Sequence, residues 1–197
     1  MSSKYIGPKH KLNKRFSQVI IGKYPINFNK GGFSLKKSSK YSRKKNSLYF
    51  TSLYEKQKLK FSYIITEKQS IITFKKAKAL GNDSGLTFLK LLELRLDSIL
   101  FRSDVFITKL QVRQLINHKF VSVNNVVITS PSFECSIGDE VSVKGKYFSK
   151  ISEGFNCPWI NPLGNSSIKV IRFPNNKELE FLDFNIQLIV EFYNRFI

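Results

Sequence analysis

Apolar positions recur at helical spacing in the middle of the chain. Across residues 85–102, positions i, i+3, i+7, i+10 and i+11 are all leucine or isoleucine: Leu89, Leu92, Leu96, Ile99 and Leu100. This spacing places them on one face of an amphipathic helix. Arg95 and Arg102 stand seven residues apart, so we expect them to share another side of the same helix.

Two further helices are predicted from their start signals. Thr66 and Thr108 each stand three residues before a glutamine, and Thr-x-x-Gln is a capping pattern for a helix N-terminus. We therefore predict one helix after Thr66, within a helical region over residues 51–80, and another after Thr108. Gly81 is suited to end the first of these helices.

Alternating apolar and polar residues follow the helices. Residues 120–123 and 126–128 are predicted to pair as a hairpin across Asn124-Asn125, because asparagine tolerates the positive φ of a tight turn. Gly138-Asp139 marks another turn before the alternating segment EVSVK. Residues 87–146 are thus predicted to form two helices followed by a small antiparallel sheet.

The last part of the chain is less regular. Residues 168–173 alternate enough to predict a strand, whereas residues 184–193 fit either a strand or a helix. The whole pattern predicts an α+β protein. Its N-terminal region is expected to be mainly helical with a basic extended arm, and an α-α-β domain with a small antiparallel sheet is inserted into it.

Charge divides the chain into two unequal parts. The sequence holds 33 Lys and Arg against 14 Asp and Glu, a net charge of +19. Residues 1–80 contribute 20 of these cations and only two acids, Glu55 and Glu67, a net of +18. Such an excess repels itself in a compact protein without a polyanionic partner, and nucleic acid is the partner that calls for so many cations.

Residues 1–50 are expected to form a basic arm. They show no clean periodicity and hold too little apolar surface to offset the entropy of ordering alone. We expect this arm to become ordered on RNA, with aromatic side chains for stacking and cations for phosphates. A solvated disordered tail is the alternative.

Few residues favour catalysis or metal binding. Cys135 and Cys157 lie 22 residues apart without a Cys-x-x-Cys or Cys/His cluster, so neither zinc nor a disulfide framework is predicted. No phosphate-binding glycine loop and no nucleophile with a plausible base is found, and no apolar run reaches the ~20 residues of a membrane span. Asp97, beside Arg95, is expected to form a structural ion pair or hydrogen bond. We expect no catalytic residue, no metal and no cofactor.

Several short motifs follow one another between residues 92 and 145. They are Arg95-Leu96-Asp97, Arg102, Thr108, RQLINH at 113–118, Val123-Asn124-Asn125, Pro131-Ser132 and Gly138-Asp139. This order resembles the helix–helix–sheet RNA-binding module of the small-subunit ribosomal protein four family. The same module occurs in tRNA ligases and pseudouridine synthases, so by itself it does not define the function.

The segments on either side of the module resemble the same family. They are the opening Tyr5-Ile6-Gly7-Pro8-Lys9, LYEKQKLK at 53–60, Gly81-Asn82-Asp83-Ser84-Gly85, and IVEFYNR at 189–195, which is similar to a strand-like closing piece. The resemblance therefore extends along the whole chain, in order. The metal-binding N-terminal cysteines of some members are absent, so no zinc is implied.

The resemblance implies a structural protein of the small ribosomal subunit and a primary binder of its rRNA. Such a protein holds a multi-helix junction of the 5′ domain, nucleates subunit assembly and helps line the side where messenger RNA enters. Expected partners are the small-subunit rRNA, neighbouring ribosomal proteins such as protein five, and nearby mRNA. The expected organisation is an arm over 1–50 ordered on rRNA, a helical part of the first domain over 51–86, the helix–helix–sheet domain over 87–146, and a segment over 147–197 that returns to the first domain.

The candidate rRNA-binding residues are basic or polar side chains of these segments. The arm and the first helical region supply Lys4, Lys9, Lys11, Arg15, Lys56, Lys58 and Lys60. The helix–helix–sheet domain supplies Arg95, Arg102, Thr108, Lys109, Arg113, Gln114, His118 and Lys119. We expect these to face the RNA backbone as a rigid cationic surface, so that Arg113→Glu weakens binding.

Composition and local resemblance bear on location. Lys, Ile, Phe and Asn supply 79 of 197 residues, and all four have A/T-rich codons, which favours an A/T-rich genome such as that of an organelle. LKFSYIITEKQ and LLELRLDSILFR look closest to plastid members, and the chain starts at the family's first residues. A plastid ribosome is therefore expected, with a mitochondrial one as the alternative.

Three rival functions remain at this stage. An RNA-modifying enzyme with the same module would need a further catalytic domain, which the chain length disfavours. A ribosome-associated recycling or stress factor could use the module to hold stalled particles. The third rival is a nonspecific basic DNA-packaging protein.

Overall fold

Helices from the early and late parts of the sequence form the first of two structural units. In this computed structural model the described residues are 9–16, 47–81, 83–103, 106–144, 157–163, 167–180 and 184–195. The first unit comprises Met1–Gly85 and Asp183–Ile197, and the second comprises Leu86–Leu182. Helices and an antiparallel sheet together confirm the predicted α+β class.

The first unit is helical throughout its described part. Its helices are α1 (Lys9–Phe16), α2 (Leu48–Tyr63), α3 (Glu67–Ala79) and α8 (Ile186–Asn194). They bury a largely aromatic core, in which the rings of Phe74 and Tyr193 stack at 4.9 Å and those of Phe16 and Tyr54 lie 5.0 Å apart. The residues of the predicted arm at 9–16 thus form a helix packed on α2, and residues 17–46 lie outside the described residues.

Local signals set the ends of these helices. The Thr66 hydroxyl accepts a hydrogen bond from the Gln69 N–H, as the capping pattern predicts, and Gly81 follows the helix with a φ of 76°. The segment at 184–193, for which the sequence left strand and helix open, is a helix. Asn185 caps it through the Leu188 N–H.

The single helix predicted over residues 85–102 is wrong, because the structure divides it into two. α4 (Ser84–Glu93) ends before Leu94, and α5 (Leu96–Arg102) begins after Arg95. Between them, the Leu94 carbonyl accepts from the Cys135 N–H and the Leu96 N–H donates to the Phe133 carbonyl, at 2.9 and 2.8 Å. The backbone therefore pairs with the segment around 133–135 instead of continuing the helix.

The second unit combines α5 and α6 (Lys109–Asn117) with a sheet. Its described strands are β1 (Val121–Val123), β2 (Val126–Val127), β3 (Glu140–Val143), β4 (Ile160–Leu163) and β5 (Ser167–Val170), which are antiparallel in the order β2-β1-β3-β5-β4. The predicted hairpin is confirmed, with positive φ at both Asn124 and Asn125. Helix α7 (Asn176–Glu180) follows β5.

The second unit extends further along the chain than predicted. The sequence analysis assigns residues 147–197 to a segment that returns to the first domain. Of this segment, only Asp183–Ile197 belongs to the first unit, because β5 pairs with β3 on one side and with β4 on the other. The apolar side chains of these strands, such as Ile160 and Ile168, complete the core beneath α5 and α6.

Candidate nucleic-acid interface

A buried ion cluster joins α6 to the start of α5. The Asp97 carboxylate is only 1% exposed, and it accepts hydrogen bonds from Arg95 Nε (3.1 Å) and Arg113 Nε (2.8 Å). Each guanidinium also binds Asp97 through a second nitrogen. The ion pair predicted for Asp97 is therefore confirmed, and it is shared by two arginines.

This cluster changes the interpretation of both arginines. The sequence analysis predicts them on an outer cationic surface, but Arg95 is 7% exposed and Arg113 is 9% exposed. Arg95 precedes α5 instead of lying on the side of a helix, and its side chain turns onto Asp97. Arg113 lies beside Val112 on the buried side of α6. Both arginines act on the fold by neutralising Asp97 in the interior.

Arg102 and Lys109 add to the charge inside the second unit. Arg102 makes two hydrogen bonds to the buried Glu93 carboxylate, at 2.7 and 3.0 Å. Lys109 is 3% exposed, with its Nζ 3.5 Å from Ser98 Oγ and 5.3 Å from the centroid of the Phe101 ring. Burial lowers the pKa of Lys109 to about 7, partly opposed by the nearby carboxylates. The prediction that Lys109 is exposed toward RNA is therefore wrong.

The predicted lysines of α2 are also engaged with the protein. Lys56 Nζ lies 2.9 Å from Glu67 Oε1, and Lys60 Nζ lies 3.7 Å from the other oxygen of that carboxylate. Lys58 is buried, with its ammonium 5.5 Å from the centroid of the Phe184 ring. Of the three, Lys60 keeps the most accessible side chain, so Lys56 and Lys58 are poorly placed to contact a phosphate.

The predicted cations of α1 face solvent where they are described. Lys11 and Arg15 are exposed one turn apart, and the Arg15 carbonyl accepts a hydrogen bond from the Tyr54 hydroxyl. Lys9 begins the helix, but its side chain is not among the described ones. Lys4 lies outside the described residues.

Exposed polar groups of the second unit gather where α6 meets β1. We define the α6–β1 surface by the exposed residues Gln114, Asn117, His118, Lys119, Phe120 and Lys144. The chain reverses here, with Lys119 at a φ of 65° and the Phe120 N–H donating to the Leu115 carbonyl. The Lys144 N–H donates to the Phe120 carbonyl at 2.8 Å, which brings the end of β3 to the same place.

The other end of the β1–β3 pair carries the opposite charge. Asp139 and Glu140 lie there, bound by the Asn124 side chain, whose amide nitrogen donates to Asp139 Oδ1 and whose oxygen accepts from the Glu140 N–H. Cations at 119 and 144 thus stand one strand length away from the acids. A polyanion is therefore attracted more strongly to the α6–β1 surface than to the opposite end, where Lys169 of β5 pairs with Glu140.

Only part of the predicted site comes together on this surface. Gln114, His118 and Lys119 lie on it, whereas the Thr108 hydroxyl accepts from the Gln111 N–H and so caps α6. Asn117, Phe120 and Lys144 were not among the site residues predicted from the sequence. Asn117 stands three residues after Gln114 on the same side of the helix, a signal that helical spacing offers, but the approach of Lys144 depends on strand pairing.

The described residues offer little for metal or cofactor chemistry. Among them, no group of three or more His, Cys, Asp and Glu is arranged to hold a metal ion. Burial raises the pKa of the Cys135 thiol to about 12, which disfavours the thiolate that metals bind. None of the helices in the described part of the chain is both long and apolar enough to cross a membrane.

Sequence comparisons match two families in succession along the chain. Residues 4–93 match the "Ribosomal protein S4/S9 N-terminal domain", and residues 94–141 match the "S4 domain". The α6–β1 surface, apart from Lys144, and the buried ion cluster belong to the second match.

Individual relatives match over most or all of their length. The chain is 33% identical over 195 residues to "Small ribosomal subunit protein uS4" of Karelsulcia muelleri, covering 98% of this chain and 100% of the relative. It is 32% identical over 210 residues to "Small ribosomal subunit protein uS4c" of Oltmannsiellopsis viridis, with the same coverage. A uS4c from Phaeodactylum tricornutum is 39% identical over 158 residues, covering 75% of this chain and 72% of that protein.

Proposed function

This chain belongs to the small ribosomal subunit protein uS4 family, and from that premise we propose how it binds its RNA. Membership makes it a structural protein of the small ribosomal subunit that binds rRNA, and not an enzyme. We propose that it holds a multi-helix junction of the 5′ domain, nucleates assembly of the subunit and helps line the side where messenger RNA enters. Ribosomal protein five is the neighbour we propose on that side.

The observation that carries the proposal is the α6–β1 surface on its rigid support. Two lysines, a histidine and two amide side chains project where the end of α6 meets the end of β3, and the Asp97 cluster ties α6 to α5. Amide, imidazole and ammonium groups are suited to phosphate and ribose oxygens, and Phe120, 39% exposed, offers a ring on which an unpaired base can stack. A multi-helix RNA junction presents both backbone oxygens and unpaired bases.

We place the protein in a plastid ribosome. The uS4c relatives support this location, as does the abundance of Lys, Ile, Phe and Asn, whose codons are A/T-rich, and a mitochondrial ribosome is the alternative. Purification of plastid and mitochondrial ribosomes from the source cells, followed by mass spectrometry of their small subunits, tests it. Detection in the mitochondrial subunit alone would overturn the assignment.

The RNA-binding proposal is tested by salt-dependent binding to a transcribed 5′-domain rRNA. If roughly 6–10 phosphates are contacted, affinity falls by ~10³–10⁵ between 50 and 200 mM salt. Removing two phosphate contacts with Lys119→Asn and Lys144→Gln lowers the slope of log affinity against log salt by about 1.4–1.8. The matched control, Lys169→Gln with Lys177→Gln, removes the same charge from exposed positions elsewhere in the second unit. Equal effects of the two pairs would contradict the assigned surface.

A ribosome-associated recycling or stress factor is the second candidate, because the S4 domain alone fits it. Sedimentation separates the two functions. A structural protein stays stoichiometric on small subunits washed in high salt, whereas a factor is released.

A further inference from the structure

An apolar and acidic patch lies at the end of the second unit opposite the α6–β1 surface. Its residues stand around the start of β3 and beyond the end of β5, and we call them the turn patch: Ile137, Asp139, Glu140, Ile171 and Phe173. The Gly138 N–H donates to the Val170 carbonyl at 2.8 Å, and the Val170 N–H donates to the Asp139 carbonyl at 3.1 Å. These bonds bring together two halves that are far apart in the sequence.

The apolar members of the turn patch are half accessible to water. Ile137 is 48% exposed, and Ile171 and Phe173 are each 49% exposed. A single exposed apolar side chain is ordinary, but several on one surface are typical of a contact with another protein. Covering them removes apolar area from water, so a second apolar surface is attracted to this patch.

The charge of the turn patch disfavours RNA and favours a cation. The segment 134–140, ECSIGDE, contains three acids and no cation, in a chain whose Lys and Arg outnumber its acids 33 to 14. Lys169, opposite Glu140 in the β3–β5 pair, offsets one of the acids of the patch. Arg172 makes hydrogen bonds to Glu178. The remaining negative charge repels phosphate and attracts ammonium groups.

Hydrogen bonds hold the acidic part of the turn patch in one conformation. The Asp139 carboxylate accepts from the Ser136 N–H at 2.7 Å and from the Asn124 side-chain nitrogen at 2.8 Å. The Asn124 side-chain oxygen accepts from the Glu140 N–H at 3.0 Å. A surface that is formed in advance loses little conformational entropy when a partner binds, which favours affinity.

We propose that the turn patch docks a neighbouring protein of the small subunit, through a lysine-rich segment that also carries apolar side chains. The inference rests on the proposed function and adds a protein contact to it. Proteins that pack among rRNA phosphates are cationic themselves, so segments of this kind surround the chain in the subunit. The four residues of β3, about 14 Å, separate the patch from the α6–β1 surface, so the second unit can contact RNA and protein at the same time.

The test compares two double variants of the full chain. The patch variant is Ile137→Ser with Ile171→Ser, and the control is Ile107→Ser with Leu163→Ser, which changes two exposed apolar residues elsewhere in the second unit. Unfolding in urea, followed by Trp159 fluorescence, checks that both variants fold. Each variant competes with an equal amount of parent during assembly of subunits from rRNA and the other small-subunit proteins. Mass spectrometry gives the ratio in the product, and affinity for 5′-domain rRNA alone is measured separately.

We expect the patch variant to be under-represented in subunits by about fivefold or more, with an affinity for rRNA alone within about twofold of the parent. The control should match the parent in both measurements. A patch variant that enters subunits as well as the parent overturns the inference, and an equal loss of affinity for rRNA alone overturns it in favour of an RNA contact. Failure of the parent chain itself to bind rRNA refutes the proposed function instead.

Carbodiimide crosslinking of complete subunits tests the chemistry of the partner. The reagent joins a carboxylate to a lysine amine in contact with it, as an amide. We expect Glu140 to be joined to a lysine of another protein, whose peptide then identifies the docked segment, and Glu140→Gln to remove this product. Products that join Glu140 only to Lys169 of its own chain overturn the lysine-rich partner.

Discussion

Asp97 is the residue on which the second unit depends most. The change Asp97→Asn keeps the size of the side chain and removes its charge. Arg95 and Arg113 then remain in the interior without the carboxylate that both bind. Two buried guanidinium groups then face a neutral amide, which does not balance their charge.

The expected loss is a large fraction of the stability of a domain. Breaking a buried ion pair by removing one partner costs about 3–5 kcal/mol. Because Asp97 serves two arginines, we expect the upper part of that range, against a total of about 5–15 kcal/mol for a typical domain. With a urea dependence of about 2 kcal/mol per M, the midpoint of unfolding falls by about 2 M.

The fluorescence of Trp159 measures this loss. It is the only tryptophan of the chain, and it is buried in the second unit. Glu140→Gln, on an exposed side chain, is the control and should change stability by less than about 0.5 kcal/mol. A loss below about 1 kcal/mol for Asp97→Asn, at an unchanged urea dependence, would refute the reasoning. Adding Arg95→Met and Arg113→Met removes the stranded charges, and we expect much of the stability to return.

Three further predictions concern single positions. Lys109→Met should stabilise the second unit most near pH 7 and progressively less toward pH 10. Between these pH values the unfolded lysine binds more protons than the folded one, so the free energy of unfolding of the parent rises by up to ~1.4 kcal/mol per pH unit. A stability difference between variant and parent that is independent of pH in urea titrations would contradict this. Gly85→Ala should destabilise the first unit by about 1–3 kcal/mol, since the added Cβ would lie 2.3 Å from Ile186 Cγ2 and 2.9 Å from Val190 Cγ2. Ile186→Ala should restore part of the loss in thermal unfolding followed by circular dichroism, whereas a more stable Gly85→Ala would contradict the predicted clash. Thr108→Ala should lower the free energy of unfolding of the second unit by about 1 kcal/mol, measured by Trp159 fluorescence, because it removes the hydroxyl that caps α6. Thr108→Ser keeps a hydroxyl and should cost much less, so equal losses would contradict a capping role for Thr108.

Local chemistry made several elements predictable from the sequence. Thr66 and Thr108 accept from the residues that the capping pattern indicates, and Asn124-Asn125 forms the turn of the hairpin. The helix break at Leu94-Arg95 was not predictable in this way. It depends on hydrogen bonds to residues near position 134, and the apolar period continues across it because both sides of the break are buried.

The candidate site was only partly predictable for a related reason. Sequence spacing shows that Lys109 and Arg113 share one side of α6, but not that this side faces Asp97 and the interior. An arginine next to a ribosomal motif suggests a phosphate contact, whereas a buried carboxylate within reach gives it a structural role. Gln114, on the outer side of the same helix, and His118, at its end, are exposed, and their contact with RNA stays a prediction.

The edge strands of the sheet affect whether protein molecules that have not yet bound RNA associate with one another. β2 has only two residues, and β4 at the opposite edge contains Pro162, which has no N–H to donate. Long, flat edge strands with unpaired N–H and C=O groups are the usual templates for aggregation, and neither of the described edge strands is of this kind. The described strands therefore offer molecules without RNA little opportunity to add to one another at the edges of this sheet.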